Sequence, residues 1–263
     1  METSAPKFIV GIDLGTTHCA LAASSATHAS VKLFDLPQLI APGEVASKPL
    51  LPSLLYLPTE GELPDGATQL PWGRSSAVVG ELAGRLGAKV PRRLVASAKS
   101  WICHGGINRR APVLPWNAPD GEPQISPYSA SIQYLAHLKS IWDAEQPDAP
   151  LKEQDVTITV PASFDEAARE LTLDAAKDAG YGKGVRLIEE PQAAFYDYLG
   201  AQGDAIHEQL AGAKLVLVVD VGGGTTDLTL LKVLEGDDGS PELERIAVGG
   251  HLLLGGDNTV SYT

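Results

Sequence analysis

The sequence predicts an α/β fold, and three observations carry the prediction. Apolar runs of strand length alternate with stretches whose apolar residues recur at helical spacing. Two related loops, IDLGTTHCALA and VDVGGGTTDLTL, lie near opposite ends of the chain, and each has strand-like residues on both sides. The 263 residues, 44% apolar and 20% charged, have the composition of a soluble globular protein able to bury a substantial core.

In chain order, FIVGID up to Asp13 is a buried strand, LGTT a turn and CALAAS a returning strand, which together make a hairpin. From about Pro37 to Pro123 the chain turns rich in Pro and Gly, as in PTEGELPDG and PWNAPDGEP, with two short helical candidates flanking Pro91. This is an inserted subdomain with long loops. Ser126–Pro127 is a helix start, and Ile132, Leu135, Leu138 and Trp142 recur at helical spacing up to the break at Pro147. DVTITV alternates as a strand and stops at Pro161. In SFDEAARELTLDAAKDAGY, Ser163 and Glu166 predict a capping box, and Gly180 supplies the C-terminal stop. Strand VRLI, a proline-started helix in EEPQAAFYDYLG, strand LVLVVD, the second glycine loop and strand LTLLKV follow, and the chain ends soon after HLLLGGDN.

A net charge of -13 and a pI near 4.8 exclude a broad nucleic-acid footprint, which needs clustered Lys and Arg. Any anionic ligand must then be held by local groups or a metal. Two cysteines, Cys19 and Cys103, make no disulfide framework, and neither a secretory signal nor a membrane span is visible, so the expected compartment is the cytoplasm. The pairs His18–Cys19 and Cys103–His104 do not read as a zinc site, because adjacent side chains diverge and each pair offers one ligand inward.

A dinucleotide fingerprint or a P-loop runs from its glycine turn into a helix. Here alternation resumes after Thr226, so each loop is the tip of a hairpin. Without side chains at Gly222, Gly223 and Gly224, backbone N–H groups can line an anion, and Thr225 and Thr226 add hydroxyl donors. Asp13 and Asp220 would repel phosphate unless a hard cation lies between, and Mg2+ keeps several waters while using few carboxylates. The expectation is two facing hairpins holding a Mg-nucleotide tail between two lobes.

These residues resemble the nucleotide-binding domain of the DnaK-type heat-shock chaperone family, a branch of the actin-like ATPases with a ribonuclease H-like fold. GIDLGTTHCALA is similar to its first phosphate motif, VTITVPASFDEAARELTLDAAKDAGY to the strand and helix after the insertion, and LIEEPQAAFYDYL to the interlobe connection. VVDVGGGTTDLTL is similar to the second phosphate motif and GGHLLLGGDN, with Gly255 and Gly256, to the glycine turn after it. The resemblance implies a first lobe over 1–209, with core 1–41 and 125–209 and inserted subdomain 42–124, and a partial second lobe over 210–263. It also implies that Gly15, Thr16 and Thr17 hold phosphates, with His18, Gly255 and Gly256 as further nucleotide-binding residues, that Asp13 and Asp220 orient Mg2+ through its waters, and that Gly222, Gly223, Gly224 and Thr225 surround the terminal phosphates. Glu190 and Asp227 match positions close to the attacking water. Lys99, in the Ala-Lys pair of SAKSWICH, matches the cation facing the terminal phosphate.

The chain departs from the family pattern in SWICHGG, where a basic, glycine-ended turn is usual, and at His18, beside the phosphate-binding residues, where relatives often carry a larger aromatic side chain. The resemblance implies ATP and ADP with Mg2+ as cofactors, slow hydrolysis, and peptide clients bound through a domain missing from a truncated chain. A J-domain co-chaperone and a nucleotide-exchange factor are the further implied partners, with no nucleic acid and no membrane. A small-molecule kinase on the same fold and a non-hydrolysing nucleotide-gated scaffold are the alternative readings.

Overall fold

The computed structural model describes residues 5–25, 27–75, 77–203, 210, 212–223, 225–235 and 241–249. The chain divides into two compact units, residues 1–158 with 165–187, and 159–164 with 188–263. Both are mixed α/β. The described residues contain no helix long and apolar enough to cross a membrane.

The first unit is built on strands β1 (Phe8–Leu14), β2 (His18–Ser25) and β3 (His28–Leu33). β1 and β2 form the predicted hairpin, in register from Phe8 opposite Ser25 to Leu14 opposite Cys19. Side chains alternate across a strand, so Val10, Ile12 and Leu14 with Cys19, Leu21 and Ala23 enter the core, while Ile9, Gly11 and Asp13 face out.

The chain continues as strands β4 (Leu36–Ala41), β5 (Glu44–Lys48), β6 (Leu51–Pro52), β7 (Leu55–Tyr56), β8 (Gln69–Leu70), β9 (Gly73–Arg74) and β10 (Val78–Val79), helix α1 (Glu81–Gly87), strand β11 (Leu94–Val95) and helix α2 (Ala98–Cys103). The two helices lie on either side of Pro91, where the sequence places them. The short strands went unseen because two residues carry no periodicity; long-range pairing makes them, as when β7 takes β10 on one side and β11 on the other. Leu39, Tyr56, Leu70, Val78, Leu82 and Ala83 form a small separate core. Arg93, largely buried, ties the insertion together by ion pairs to Glu62 at 2.5 Å and Glu122 at 2.6 Å.

Helix α3 (Pro127–Glu145) starts as predicted, with the Ser126 hydroxyl accepting from the Ser129 N–H at 2.9 Å and Pro127 in the first turn, and it stops before Pro147. Its Trp142 is fully buried, touches Phe8 and Phe34 with ring centroids 5.3 Å away, and donates from Nε1 to the Ala149 carbonyl at 2.8 Å. Burial of one large apolar side chain contributes about 1.5–3 kcal/mol.

Strand β12 (Asp155–Val160), helix α4 (Glu166–Asp178) and strand β13 (Val185–Glu189) complete the main sheet, whose order is β13-β12-β1-β2-β3 with β6 paired to β2. The α4 start differs from the predicted capping box. Asp165, not Ser163, is the N-cap, with its carboxylate accepting from the Ala168 N–H at 2.7 Å. Arg109 holds that carboxylate from the outside with two bonds, at 2.9 and 3.1 Å, and the helix begins directly after it. The predicted stop stands: Gly180 has φ +87°, its N–H donates to the Lys177 carbonyl, and the Tyr181 N–H reaches the Ala176 carbonyl.

The second unit carries helix α5 (Glu190–Gln202) and a three-stranded antiparallel sheet of β14 (Leu215–Val221), β15 (Thr226–Glu235) and β16 (Pro241–Val248). The sequence reading missed β16, whose alternation is obscured by Glu242, Glu244 and Arg245. One face of β14 carries Leu215, Leu217, Val219 and Val221, each more than half exposed.

Candidate functional site

In the first unit the β1–β2 hairpin presents the first candidate loop. Its turn spans residues 15–17, and a Cβ added at Gly15 would sit 2.2 Å from the His18 carbonyl oxygen, so only glycine closes it in this conformation. Asp13 and His18 are exposed beside the turn, and Thr16 and Thr17 are half-exposed. Lys99, on α2, is buried with 9% exposure, unusual for a lysine.

Cys19 reports how these groups are assembled. Its thiol is pushed up to about 12, first by burial, with Asp13 adding to the rise while the Ser53 hydrogen bond and Lys99 oppose it. Asp13 and Lys99 therefore both lie within electrostatic reach of one buried sulfur. Eighty-six positions of chain separate them, roughly, yet the fold brings a carboxylate and an ammonium to the same end of one hairpin.

The second candidate loop tips the β14–β15 hairpin, whose register sets Asp220 directly opposite Asp227 and Val221 opposite Thr226. Val218 with Thr229 and Val216 with Leu231 continue that face inward, where Thr229, Leu231 and Asp227 are buried. Like charges directly opposite on one sheet face are destabilising unless neighbouring groups compensate them. The Gly222 N–H donates to the Thr225 carbonyl at 2.8 Å and closes the turn, so the anion-facing N–H groups expected from the three glycines start at Gly223. Gly224, Gly255 and Gly256 lie outside the described residues.

Glu190 is the first residue of α5 and is half-buried. Its neighbour Glu189 pairs with Arg245 of β16, whose guanidinium also donates to the Ala162 carbonyl at 3.2 Å. Sequence reading singled out neither Arg245 nor Ser53, whose hydroxyl donates to the Gly15 carbonyl at 2.7 Å. No local signal marks either, because their partners are distant in sequence. Among the described residues no three His, Cys, Asp or Glu side chains gather as a metal site. Sparse carboxylates beside hydroxyl-rich turns fit Mg2+, which retains its waters, better than a metal that needs a full protein cage.

Residues 111–259, more than half of the chain, match the family model described as Hsp70 protein. The chain belongs to the Hsp70 family. It is 33% identical over 275 residues to a chaperone protein HscA homolog of Histophilus somni, covering 98% of this chain and 37% of that protein. The HscA homolog of Mannheimia succiniciproducens is 30% identical over 264 residues, with coverages of 96% and 36%, and that of Acinetobacter baumannii is 29% identical over 269 residues, with 98% and 37%. The chain thus spans a little over a third of the length of the curated relatives it matches. Hsp70 membership implies an actin-like ATPase fold, and the region present is an Hsp70-like chaperone nucleotide-binding domain. A small-molecule kinase is not favoured, since these relatives are chaperones.

Proposed function

We propose that this Hsp70 domain binds ATP and ADP with Mg2+ and hydrolyses ATP slowly, and that in the whole protein the nucleotide state controls a peptide-binding domain. The observation that carries the reading is the repeated hairpin: strand, Asp, aliphatic residue, Gly, threonine-bearing turn, strand, with Asp13 at the first and Asp220 at the second. Turn N–H groups and the hydroxyls of Thr16, Thr17 and Thr225 bind phosphate oxygens, together with Gly15, Gly222, Gly223, Gly224, Gly255 and Gly256. His18 flanks them.

Asp13 and Asp220 would hold Mg2+ through its waters, and the ion would supply neutralisation of the phosphate charge. Lys99 places a fixed cation toward the terminal phosphate. Glu190 and Asp227 orient the attacking water and receive its proton. Such chemistry needs positioning and charge compensation more than covalent participation, which suits a slow timing device. Peptide clients, a J-domain co-chaperone and an exchange factor are the partners proposed for the whole protein, and the cytoplasm its compartment.

The test is calorimetric titration of Mg-ADP into the chain and into an Asp13→Ala, Asp220→Ala double variant, with phosphate release from ATP followed in parallel. Binding by the parent and loss in the variant support the site, and phosphate release separates hydrolysis from nucleotide-gated scaffolding. Equal binding by parent and variant would overturn the assignment of the two hairpins.

A further inference from the structure

We propose that Ser53 is the positioning residue of the first phosphate-binding turn, holding it in the conformation that receives the anion. The inference rests on the nucleotide reading above and adds a residue outside both glycine motifs. The pairing of β6 with β2, Leu51 opposite Cys19 and Pro52 opposite His18, carries Ser53 beneath the turn. There it is 2% exposed and every polar group it has is engaged. Its hydroxyl donates to the Gly15 carbonyl at 2.7 Å, and its N–H donates to the Thr17 carbonyl at 2.8 Å. Its own carbonyl accepts from the Tyr134 hydroxyl of α3 at 3.0 Å, a buried bond that anchors Ser53 to the core helix.

The hydroxyl proton goes to Gly15, so the thiol of Cys19, 3.3 Å from Ser53 Oγ, is the donor in their contact. A single buried serine therefore fixes both carbonyls that bracket the turn.

Peptide planarity converts those two bonds into a statement about donors. In a trans peptide the N–H points opposite to the C=O of the same unit. Drawing the Gly15 carbonyl toward Ser53 turns the Thr16 N–H away from it, and drawing the Thr17 carbonyl inward does the same for the His18 N–H. Both donors then leave the core side of the turn, where Thr16, Thr17 and His18 have access to solvent. Donors aimed before the ligand arrives need no reorganisation on binding. Without the serine hydroxyl the Gly15 carbonyl loses this inward tie and its peptide is freer to rotate, since glycine imposes little preference of its own.

The test compares Ser53→Ala with the nearly isosteric Ser53→Cys, whose thiol is a weaker donor. Mg-ADP affinity is read by calorimetry, and the amide signals of Thr16 and His18 by nitrogen-15 NMR. The expected result is that Ser53→Ala weakens Mg-ADP by about tenfold, the size of one buried hydrogen bond, with Ser53→Cys between it and the parent. The Thr16 amide signal should move in both variants without nucleotide, and the second-hairpin amides should not.

Should Ser53→Ala fail to fold, Ser53→Cys carries both readouts. Parent-like affinity and an unmoved Thr16 amide in the folded variants would overturn the inference while leaving the nucleotide site standing. No Mg-ADP binding by the parent would overturn the site and this role together.

Discussion

Helix α3 directs His137 into the insertion, where its Nε2 meets the Pro37 carbonyl at 3.0 Å and the ring of Trp72 packs edge-on at 5.3 Å. A carbonyl only accepts, so Nε2 carries a proton, and burial favours the neutral ring over the imidazolium. Burial lowers its pKa from 6.5 to about 4, with the Pro37 bond opposing the fall. A depressed histidine pKa means that the unfolded chain takes up the proton first. The stabilisation is complete above about pH 6.5 and is lost as pH falls toward the folded value.

The whole shift is worth about 3 kcal/mol at ~1.36 kcal/mol per pKa unit. At about pH 5.5 the unfolded imidazole is largely protonated and the folded one hardly at all, so about 1 kcal/mol disappears on moving from about pH 7.5. His137→Gln removes the titration. Urea unfolding at the two pH values should show the parent losing that amount more than the variant. Equal losses in parent and variant would refute the assignment of a buried neutral imidazole.

The N-cap gives a second prediction: Asp165→Ala should cost about 1–2 kcal/mol at neutral pH, from the cap and the Arg109 pair, in which only Asp165 is exposed, read by denaturant midpoint. Arg109 first, and the Ala168 N–H second, hold the Asp165 carboxyl below its usual range. The deficit should therefore shrink as acid protonates Asp165 in the parent. Trp142→Phe leaves the Ala149 carbonyl without its donor and opens space between Phe8 and Phe34, and a loss of about 2–3 kcal/mol is expected by thermal or urea melting. A thiol reagent near pH 8 should label Cys103, which is partly exposed, and leave Cys19 unlabelled until the chain unfolds. Lys99→Ala should slow phosphate release about a hundredfold with a smaller change in Mg-ADP affinity, because the cation matters most where transition-state charge develops.

The sequence reveals those parts of the molecule whose cause is local. Period-two alternation around a glycine and threonine turn was enough to place both hairpins, and a Ser-Pro start with helical spacing was enough for α3. The start of α4 was harder, because the cap falls on Asp165 instead of the expected Ser163, and that choice coincides with a tether from Arg109, 56 residues away in sequence. The two-residue strands of the insertion and the charged β16 were hidden for the same reason: their partners, not their own residues, make them strands. At the candidate site, the like placement of Asp13 and Asp220 on their hairpin strands follows from the repeat itself. The burial of Lys99 and the setting of Ser53 depend on the packing of an insertion that has no counterpart in the repeat.

That difference separates two loops that look alike on paper. The second turn closes on itself, through the Gly222 N–H to the Thr225 carbonyl, within four residues. The first turn is closed from outside, with its carbonyls drawn toward a serine that β6 delivers and α3 anchors. A local closure survives wherever its own strands survive, whereas an external one fails when the insertion shifts. Substitutions in the Leu51–Ser53 segment should therefore disturb the Gly15 turn and leave the Gly222 turn in place. The two halves of the repeat consequently bear different structural dependences, and the one with Lys99 nearby is the one tied to the insertion.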